Sequence, residues 1–117
     1  MVRGSQNAQN HRLRGIDMTV ITISTYEENG TKYRCLTASE HAGSEVVCAG
    51  ISAICYALAG YLLNRVPEDD LEYSLAIAEA EIRVKDSDVA REAFTMAEIG
   101  LQQIEQTYGD YIHVEVN

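Results

Sequence analysis

Cys48 and His41 are the residues of this sequence whose types best suit covalent chemistry, and six residues separate them. An apolar helical pattern follows Val46, so we expect Cys48 in the first turn of a helix. Backbone N–H groups at a helix start lack acceptors within the helix and, with the helix dipole, they stabilise an anion such as a thiolate. An imidazole can move the thiol proton to a leaving amine, and the same amides can bind an oxyanion. The pair therefore indicates a cysteine nucleophile with a histidine base.

Spacing alone favours structural roles for both residues. A cysteine in an Ala- and Gly-rich helix is usually a small buried side chain, and a histidine at a strand end is usually on the surface. Cys35, His41 and Cys48 lack the paired spacing of a zinc site, so we expect no metal and no cofactor. Cys55 lies two helical turns, about 10 Å, after Cys48 and is expected in the core. His113 is interpreted as structural or surface.

The elements that must position these residues are predicted from periodicity and turn signals. A turn at Glu27-Glu28-Asn29-Gly30 joins two β-rich runs and predicts a hairpin whose second strand leads to His41. An apolar stripe at spacings of three and four predicts the first helix, and Ser87 with its acidic neighbours predicts the cap of the second. The predicted segments are strands Thr19–Ser24 and Thr31–Ala38, helix Val46–Arg65, strands Leu71–Ile77 and Ala80–Lys85, a helix from Asp86-Ser87-Asp88 to Gly109, and strand Tyr111–Val116.

The order β-β-α-β-β-α-β predicts an α+β fold, with a mainly antiparallel sheet and two helices on one face. A helical start at Leu71 remains open, because Ala and Glu favour helix. Residues Met1–Asp17 lack apolar periodicity and are interpreted as an added leader peptide or a disordered upstream extension, with Met18 as the native start. Residues 18–117 are interpreted as a single domain.

The chain is acidic. It has nine basic and eighteen acidic residues, and the leader holds Arg3, Arg12, Arg14 and Asp17, so residues 18–117 carry six basic and seventeen acidic residues. This charge repels phosphate, so we expect no direct nucleic-acid partner and consider a basic polypeptide more suitable.

The cellular compartment is predicted from targeting patterns and cysteine spacing. No charged segment precedes an apolar run of signal-peptide type, and the apolar stretch Val46–Val66 is interpreted as a packed helix, not a membrane span. Three cysteines without framework spacing fit a reducing compartment. We therefore expect a cytoplasmic protein without a membrane partner.

The motif around the two candidate residues resembles the ribosomal-processing cysteine protease (Prp) family. Members typically have Gly-His-Ala-Gly, a flexible loop ending in Gly-x-Asp, and then Ile-Val-Cys-Ala-Ala/Gly-Val/Ile-Ser-Ala. This sequence has His-Ala-Gly from His41 and Val-Val-Cys-Ala-Gly-Ile-Ser-Ala from Val46. Its C-terminal Gly-Leu and Tyr-Gly-Asp-Tyr-Ile segments also resemble the family, and the likeness extends over Thr19 to Val116.

The resemblance implies that His41 and Cys48 are a catalytic dyad. Glu45 stands where the family usually has Asp, and it could orient His41, bind substrate or simply stabilise the helix start. Ser52 matches a serine one turn after the nucleophile, where it could bond near the thiolate or to its own helix. Gly43 completes His-Ala-Gly and is grouped with these supporting or substrate-binding residues.

The resemblance also implies a homodimeric endopeptidase that removes an N-terminal extension from a large-subunit ribosomal protein. A non-catalytic binding module for a basic peptide or ribosomal protein remains an alternative. The same protease chemistry acting on a phage structural protein is another.

Two departures from the family pattern affect the expected site. Glu40 replaces the usual Gly, and the segment between His41 and Cys48 is about five residues shorter than the family pattern. Either the loop is short in this chain, or residues are missing between Gly43 and Ser44, which is the explanation we favour.

Overall fold

The structure is a computed structural model, and it describes residues 18–40, 42–76 and 79–117. The proposed leader Met1–Asp17, the candidate base His41, and Ile77 with Ala78 lie outside the described residues. The described elements are strands β1 Thr19–Glu28, β2 Thr31–Ser39, β3 Leu71–Ala76, β4 Glu79–Lys85 and β5 Ile112–Val116, helices α1 Glu45–Leu63 and α2 Asp88–Tyr108, and a 3-10 helix Glu68–Asp70.

The first hairpin forms where the turn signal predicts it. Asn29 and Gly30 have φ values of 54° and 82°, and two such residues in succession make the turn whose twist matches that of antiparallel strands. Asn tolerates this left-handed conformation and Gly has no side chain to oppose it. The turn sets the register that places Ser39, at the end of β2, opposite Val20.

The five strands form one mixed sheet in the order β3-β4-β2-β1-β5. The β1/β2, β2/β4 and β3/β4 pairs are antiparallel, whereas β5 runs parallel to β1 at the sheet edge. The predicted α+β fold with a mainly antiparallel sheet is therefore confirmed. The segment from Leu71 is a strand, so the helical alternative for this segment is wrong. Its backbone pairs with β4 in an antiparallel register, and this pairing outweighs the local helix propensity of Ala and Glu.

Both helices lie on one face of the sheet and close a core against it. The sheet contributes alternate residues such as Ile21, Leu36 and Ile82, all without exposed surface. The helices contribute buried residues from one stripe each, which are Val47, Ile51, Leu58 and Leu62 of α1 and Ala90, Phe94, Ala97 and Leu101 of α2.

A close approach of the two helices fixes their relative position. A Cβ on Gly50 would lie 3.1 Å from Ile104 Cδ1, and a Cβ on Gly100 would lie 3.0 Å from Ile54 Cδ1. Each helix thus inserts an isoleucine beside a glycine of the other. This packing orients α1, which carries Cys48.

Helix α1 is also long and apolar enough to cross a membrane, judged by length and composition alone. One stripe of it packs against the sheet, and its opposite side exposes apolar residues, among them Val46, Tyr56, Tyr61 and Leu63. Glu45 is the one charged residue within its span. Beyond Glu45, the helix therefore presents a surface without charged side chains to solvent.

Candidate active site

Ser44 builds the helix start that carries Cys48. Its backbone is extended, with φ −142° and ψ 126°, and its Oγ accepts a hydrogen bond from the Val47 N–H at 3.4 Å. The Ser44 carbonyl accepts the Cys48 N–H at 3.0 Å. Helix α1 therefore begins at Glu45, one residue earlier than predicted, because Ser44 supplies the cap.

This cap changes which amides can act in chemistry. Cys48 is the fourth residue of α1, and its own N–H is already bonded to Ser44. The first-turn amides that Ser44 does not engage belong to Glu45 and Val46. These two are the better candidates for binding an oxyanion at this helix start.

The Cys48 thiol lies against the chain that precedes the helix. Its Sγ donates to the Ala42 carbonyl oxygen at 3.4 Å, and Ala42 is buried. Gly43 and Ser44 are consecutive in the full amino-acid sequence, and both lie within the described range 42–76. The short connection thus belongs to this chain, and our expectation of residues missing at this point is wrong.

A cavity of about 310 Å³ opens beside Cys48, between the start of α1 and the ends of β2, β3 and β4. Its walls are mostly apolar, with the half-exposed thiol on one side and Glu40 and Glu79 as the acidic residues among its described lining. The described lining residues are Thr19, Ala38, Glu40, Cys48, Ile51, Ser52, Cys55, Tyr56, Leu75, Ala76, Glu79 and Ala80. The cavity can therefore accept part of a substrate in contact with the thiol.

The structure brings some of the sequence-predicted site residues together and not others. Cys48 and Ser52 line the cavity one helical turn apart. Gly43 and Glu45 are not among the described residues that line it. The dyad partner His41 lies outside the described residues, although Glu40 and Ala42 on either side of it contact the cavity and Cys48 respectively.

Glu40 has a left-handed backbone with φ 70°. Its carbonyl oxygen accepts a 2.8 Å hydrogen bond from Oγ1 of the buried Thr19. A residue with a Cβ is disfavoured in this conformation, which Gly adopts freely. The Gly that the family pattern has here thus suits the backbone geometry, and Glu40 fills a position that glycine fits better.

The other cysteines occupy different environments. Cys35 is buried on the sheet face away from the helices, where burial first and Glu81 second raise the pKa of its thiol, against the opposing charge of Arg83. Cys35 and Cys48 therefore lie on opposite sides of the sheet and cannot ligate one metal ion. Cys55 is in the core as predicted, and burial raises the pKa of its thiol to about 11.

Several cavity residues were not predicted from the sequence. Tyr56 follows Cys48 and Ser52 at intervals of four, so helical spacing could have found it. Leu75 and Ala80 come from β3 and β4, which reach the cavity because Ala80 pairs with Ala38 of β2. No local sequence signal indicates that pairing.

Solved structures share this architecture. One is an essential ribosomal processing protease Prp from S. aureus in complex with a covalently linked product peptide, with a TM-score of 0.69, 21% identity, and coverage of 86% of this chain and 100% of that chain. A second S. aureus Prp structure, with a substrate peptide, has a TM-score of 0.64, 17% identity and the same coverage. SMU.848 from Streptococcus mutans has a TM-score of 0.61, 16% identity, and coverage of 88% of this chain and 96% of that chain. These likenesses show the fold.

No curated protein sequence matched the chain. The sequence profile described as cysteine protease Prp, in contrast, matches residues 18–113, which include the capped helix start, Cys48 and the walls of its cavity. The chain therefore belongs to the Prp family of cysteine proteases.

Proposed function

We propose that this chain is a cysteine endopeptidase that removes an N-terminal extension from a large-subunit ribosomal protein, with Cys48 as nucleophile and His41 as base. The observation that carries the proposal is the half-exposed Cys48 thiol in the first turn of α1, at the wall of a 310 Å³ cavity. Cys35 and Cys55 are both buried and are unsuited to attack a polypeptide.

The chain around His41 supports its role as the base. Glu40 lines the cavity with Cys48, and the Ala42 carbonyl lies 3.4 Å from Cys48 Sγ. His41 stands between these two residues in the sequence, so the backbone on both sides of it is adjacent to the candidate nucleophile. General base catalysis needs the imidazole within hydrogen-bond reach of the thiol.

The proposed reaction has two stages. His41 takes the Sγ proton, the thiolate attacks the scissile carbonyl carbon, and the proton passes to the leaving amine as the C–N bond breaks. Water then attacks the thioester and loses its proton to His41, which returns it to Cys48 Sγ as the carboxylic product leaves. The amides of Glu45 and Val46 bind the oxyanion of each tetrahedral intermediate.

The comparisons support peptide chemistry of this type. The two S. aureus Prp structures hold a covalently linked product peptide and a substrate peptide. We infer that this chain also acts on a polypeptide, and that its substrate is a basic ribosomal-protein precursor, which suits the acidic domain. A cytoplasmic location, where ribosomes assemble, is part of the same proposal.

The mostly apolar outer surface of α1 supports a homodimer. A groove of about 540 Å³ between α1 and α2 is lined largely by apolar residues that include Ile54, Tyr61 and Met96, and Glu92 is the charged residue among its described lining. Because the domain carries a large negative charge, self-association is favoured through a surface that is mostly apolar and carries little charge. Analytical ultracentrifugation should give twice the 12.9 kDa chain mass, and Tyr61→Glu should reduce it to that of the monomer.

The proposal is tested by mass spectrometry of an N-terminally extended ribosomal-protein precursor incubated with the protein. The wild type should release one N-terminal fragment, Cys48→Ala should release none, and Cys35→Ser, altered on the far sheet face, should cleave like the wild type. An intact precursor after incubation with the wild type rejects the substrate assignment. Cleavage by Cys48→Ala at the wild-type rate rejects the nucleophile.

A further inference from the structure

Strand β3 is an edge of the sheet, and its end reaches the cavity that holds Cys48. Its last two residues, Leu75 and Ala76, are among the described residues that line this cavity. Within β3 only Leu71 is buried. An exposed edge strand presents backbone groups that can bond to another extended chain. A polypeptide that lies along β3 therefore ends at the cavity of the thiol.

A hydrogen bond beside the β2/β4 ladder shows which way the backbone groups of β4 point. The Asp86 N–H donates to the Lys32 carbonyl oxygen at 2.8 Å, and this pair continues the β2/β4 register by one residue. In an antiparallel ladder, hydrogen-bonded pairs recur at every second residue. The even-numbered residues of β4 therefore bond to β2, and its odd-numbered residues bond to β3.

The outward-facing residues of β3 follow from this alternation. The odd-numbered residues of β4 stand opposite Glu72, Ser74 and Ala76. These three residues bond to β4, so the backbone N–H and C=O groups of Tyr73 and Leu75 point away from the sheet. Two residues span about 6.8 Å of an antiparallel strand, which is the repeat at which a further extended chain bonds.

The start of β3 agrees with this assignment. The Leu71 N–H donates to the Glu68 carbonyl oxygen, so it is turned away from β4, as the alternation requires. Within the described part of the chain, no hydrogen bond beyond the strand pairing involves the backbone of Tyr73 or Leu75. The β3 edge thus offers two residues with outward donors and acceptors.

The opposite edge of the sheet, formed by β5, is closed at its centre. The Asn117 N–H donates to the Ile23 carbonyl oxygen at 2.8 Å, so the odd-numbered residues of β5 bond to β1. The Val114 N–H therefore points outward, where a carboxylate oxygen of Glu105 accepts it at 3.1 Å. A side chain that occupies an edge N–H opposes the addition of another strand. The two edges therefore differ, and the edge beside Cys48 is the open one.

We propose that the β3 edge is the docking site of the polypeptide substrate, which adds to the sheet as an extended sixth strand through the backbone groups of Tyr73 and Leu75. The inference rests on the proposed peptidase function of Cys48. Main-chain hydrogen bonds of this kind supply affinity, and the side chains of the added strand alternate between the two sheet faces. The docked chain leads its scissile bond into the cavity at the end of β3.

Charge favours a basic polypeptide at this edge over a second copy of this chain. Three acidic residues, Glu68, Asp69 and Asp70, directly precede β3. Pairing between two β3 edges would bring two acidic domains together, whereas a basic precursor is attracted to them. The cavity shared with Cys48 also favours the substrate, because a substrate has to reach the thiol.

The first test follows single amides by hydrogen exchange and NMR. Isotope-labelled Cys48→Ala, which lacks the proposed nucleophile, is measured with and without a synthetic peptide that spans the cleavage site of the ribosomal-protein precursor. The Tyr73 and Leu75 amides should exchange about tenfold more slowly or less when the peptide is saturating, because they gain acceptors. The amides of Ser74 and Val114, which are already bonded in the free protein, should change much less.

The outcomes of this test separate the docking mode from the function. Unchanged exchange at Tyr73 and Leu75, while chemical shifts of cavity residues show that the peptide is bound, overturns the proposal and leaves the peptidase function standing. A precursor peptide that neither binds to Cys48→Ala nor is cut by the wild type rejects the proposed function, and the docking proposal with it.

The second test blocks the edge in the full chain. Tyr73→Pro removes an N–H that points to solvent and keeps the pairing with β4, since proline is tolerated at such positions of an edge strand. Its KM for the precursor peptide should be about 3- to 10-fold above that of Tyr73→Val, which loses the same side chain but keeps the N–H. The two variants should share the same kcat and the same rate of Cys48 alkylation. Urea titration shows whether both are folded.

Val116→Pro is the matched control at the other edge. Val116 is exposed, and its N–H points outward from β5 by the same alternation, so its KM should equal that of the wild type within experimental error. Equal KM values in Tyr73→Pro and Tyr73→Val overturn the proposal. If Tyr73→Pro instead converts a dimer to a monomer at unchanged KM, the β3 edge pairs two copies of this chain, and the proposal is overturned.

Discussion

The two helices begin in the same way but lead to different chemistry. Helix α1 starts with Ser44-Glu45-Val46-Val47-Cys48 and α2 with Ser87-Asp88-Val89-Ala90-Arg91. In each, the serine Oγ accepts the N–H three residues on, at 3.4 Å in α1 and 3.1 Å in α2. In each, the serine carbonyl oxygen accepts the N–H of the residue four positions on, which is Cys48 in α1 at 3.0 Å and Arg91 in α2 at 2.9 Å.

The fourth helical residue differs in its surroundings. Arg91 binds Asp86 at 3.2 Å and also contacts Asp88, while Asp86 receives the Arg34 Nε at 2.7 Å. Cys48 instead borders a cavity. A capped helix start with a favourable dipole is thus common to a structural charge network and a candidate nucleophile, and the cavity is what distinguishes them.

The largest expected difference between the two regions is chemical. We predict that iodoacetamide at pH 7 modifies Cys48 of the folded protein at least as fast as in the unfolded chain. Cys55 should react more slowly when folded, because burial raises the pKa of its thiol from 9.0 to about 11, and this alone reduces its thiolate at pH 7 about 100-fold. Peptide mass spectrometry after timed quenching, with and without urea, measures both rates.

The same labelling experiment examines the dyad. His41→Ala should slow alkylation of Cys48 at pH 7 about tenfold or more and leave the rates of Cys35 and Cys55 unchanged. It should also reduce kcat/KM for peptide cleavage about 10²- to 10⁴-fold, the range of a lost general base. If Cys48 is alkylated at the same rate in His41→Ala and in the wild type, His41 does not activate the thiol. That result would favour the non-catalytic binding module.

The charge network at the start of α2 should contribute to stability and not to catalysis. Burial opposes ionisation of Asp86, but its hydrogen bond and charge interaction with Arg34, together with the charges of Arg91 and Lys32, outweigh burial and hold the pKa of Asp86 below its usual value. Asp86→Asn should therefore lower the free energy of unfolding at pH 7 by about 1–2 kcal/mol, measured by urea titration. The alkylation rate of Cys48 should not change.

The pH dependence of this effect has a definite sign. Because the pKa of Asp86 is depressed in the folded state, its stabilisation is complete above the unfolded value of about 4 and is lost as pH falls through the folded pKa. The stability difference between wild type and Asp86→Asn should thus shrink from pH 7 to pH 3. A difference of equal size at both pH values would show that ionisation of Asp86 is not its source.

The comparison of the helix starts also shows how far local sequence can be interpreted. Ser87 and the hairpin turn at Asn29-Gly30 act through neighbours in the chain, and both were predicted correctly. The capping role of Ser44 was missed because the predicted helix began at Val46. Cys48 was predicted as the nucleophile because its position in the first helical turn and the motif around it can both be recognised within a short segment of sequence.

The rest of the site depends on pairing between distant segments. The far cavity wall is placed by the register of Ala80 with Ala38, forty-two positions apart, and no short pattern specifies it. The left-handed conformation of Glu40 is held by a bond from Thr19, twenty-one residues earlier in the chain. The parallel pairing of β5 with β1 likewise follows from α2 crossing the sheet, and it could not be inferred from the alternation of Tyr111–Val116.

The smallest predicted effects come from the caps themselves, where the two regions are most alike. Ser44→Ala and Ser87→Ala should each lower the free energy of unfolding by about 1 kcal/mol, with the larger loss at Ser87 because its bond is shorter. Their chemical effects should differ. Ser44→Ala frees the Val47 N–H beside the thiol and should change the alkylation rate of Cys48, whereas Ser87→Ala, at a helix start without a cavity, should not. Urea titration and timed labelling of the same two proteins separate these effects, and equal Cys48 rates in both variants would mean that the Ser44 cap serves stability alone.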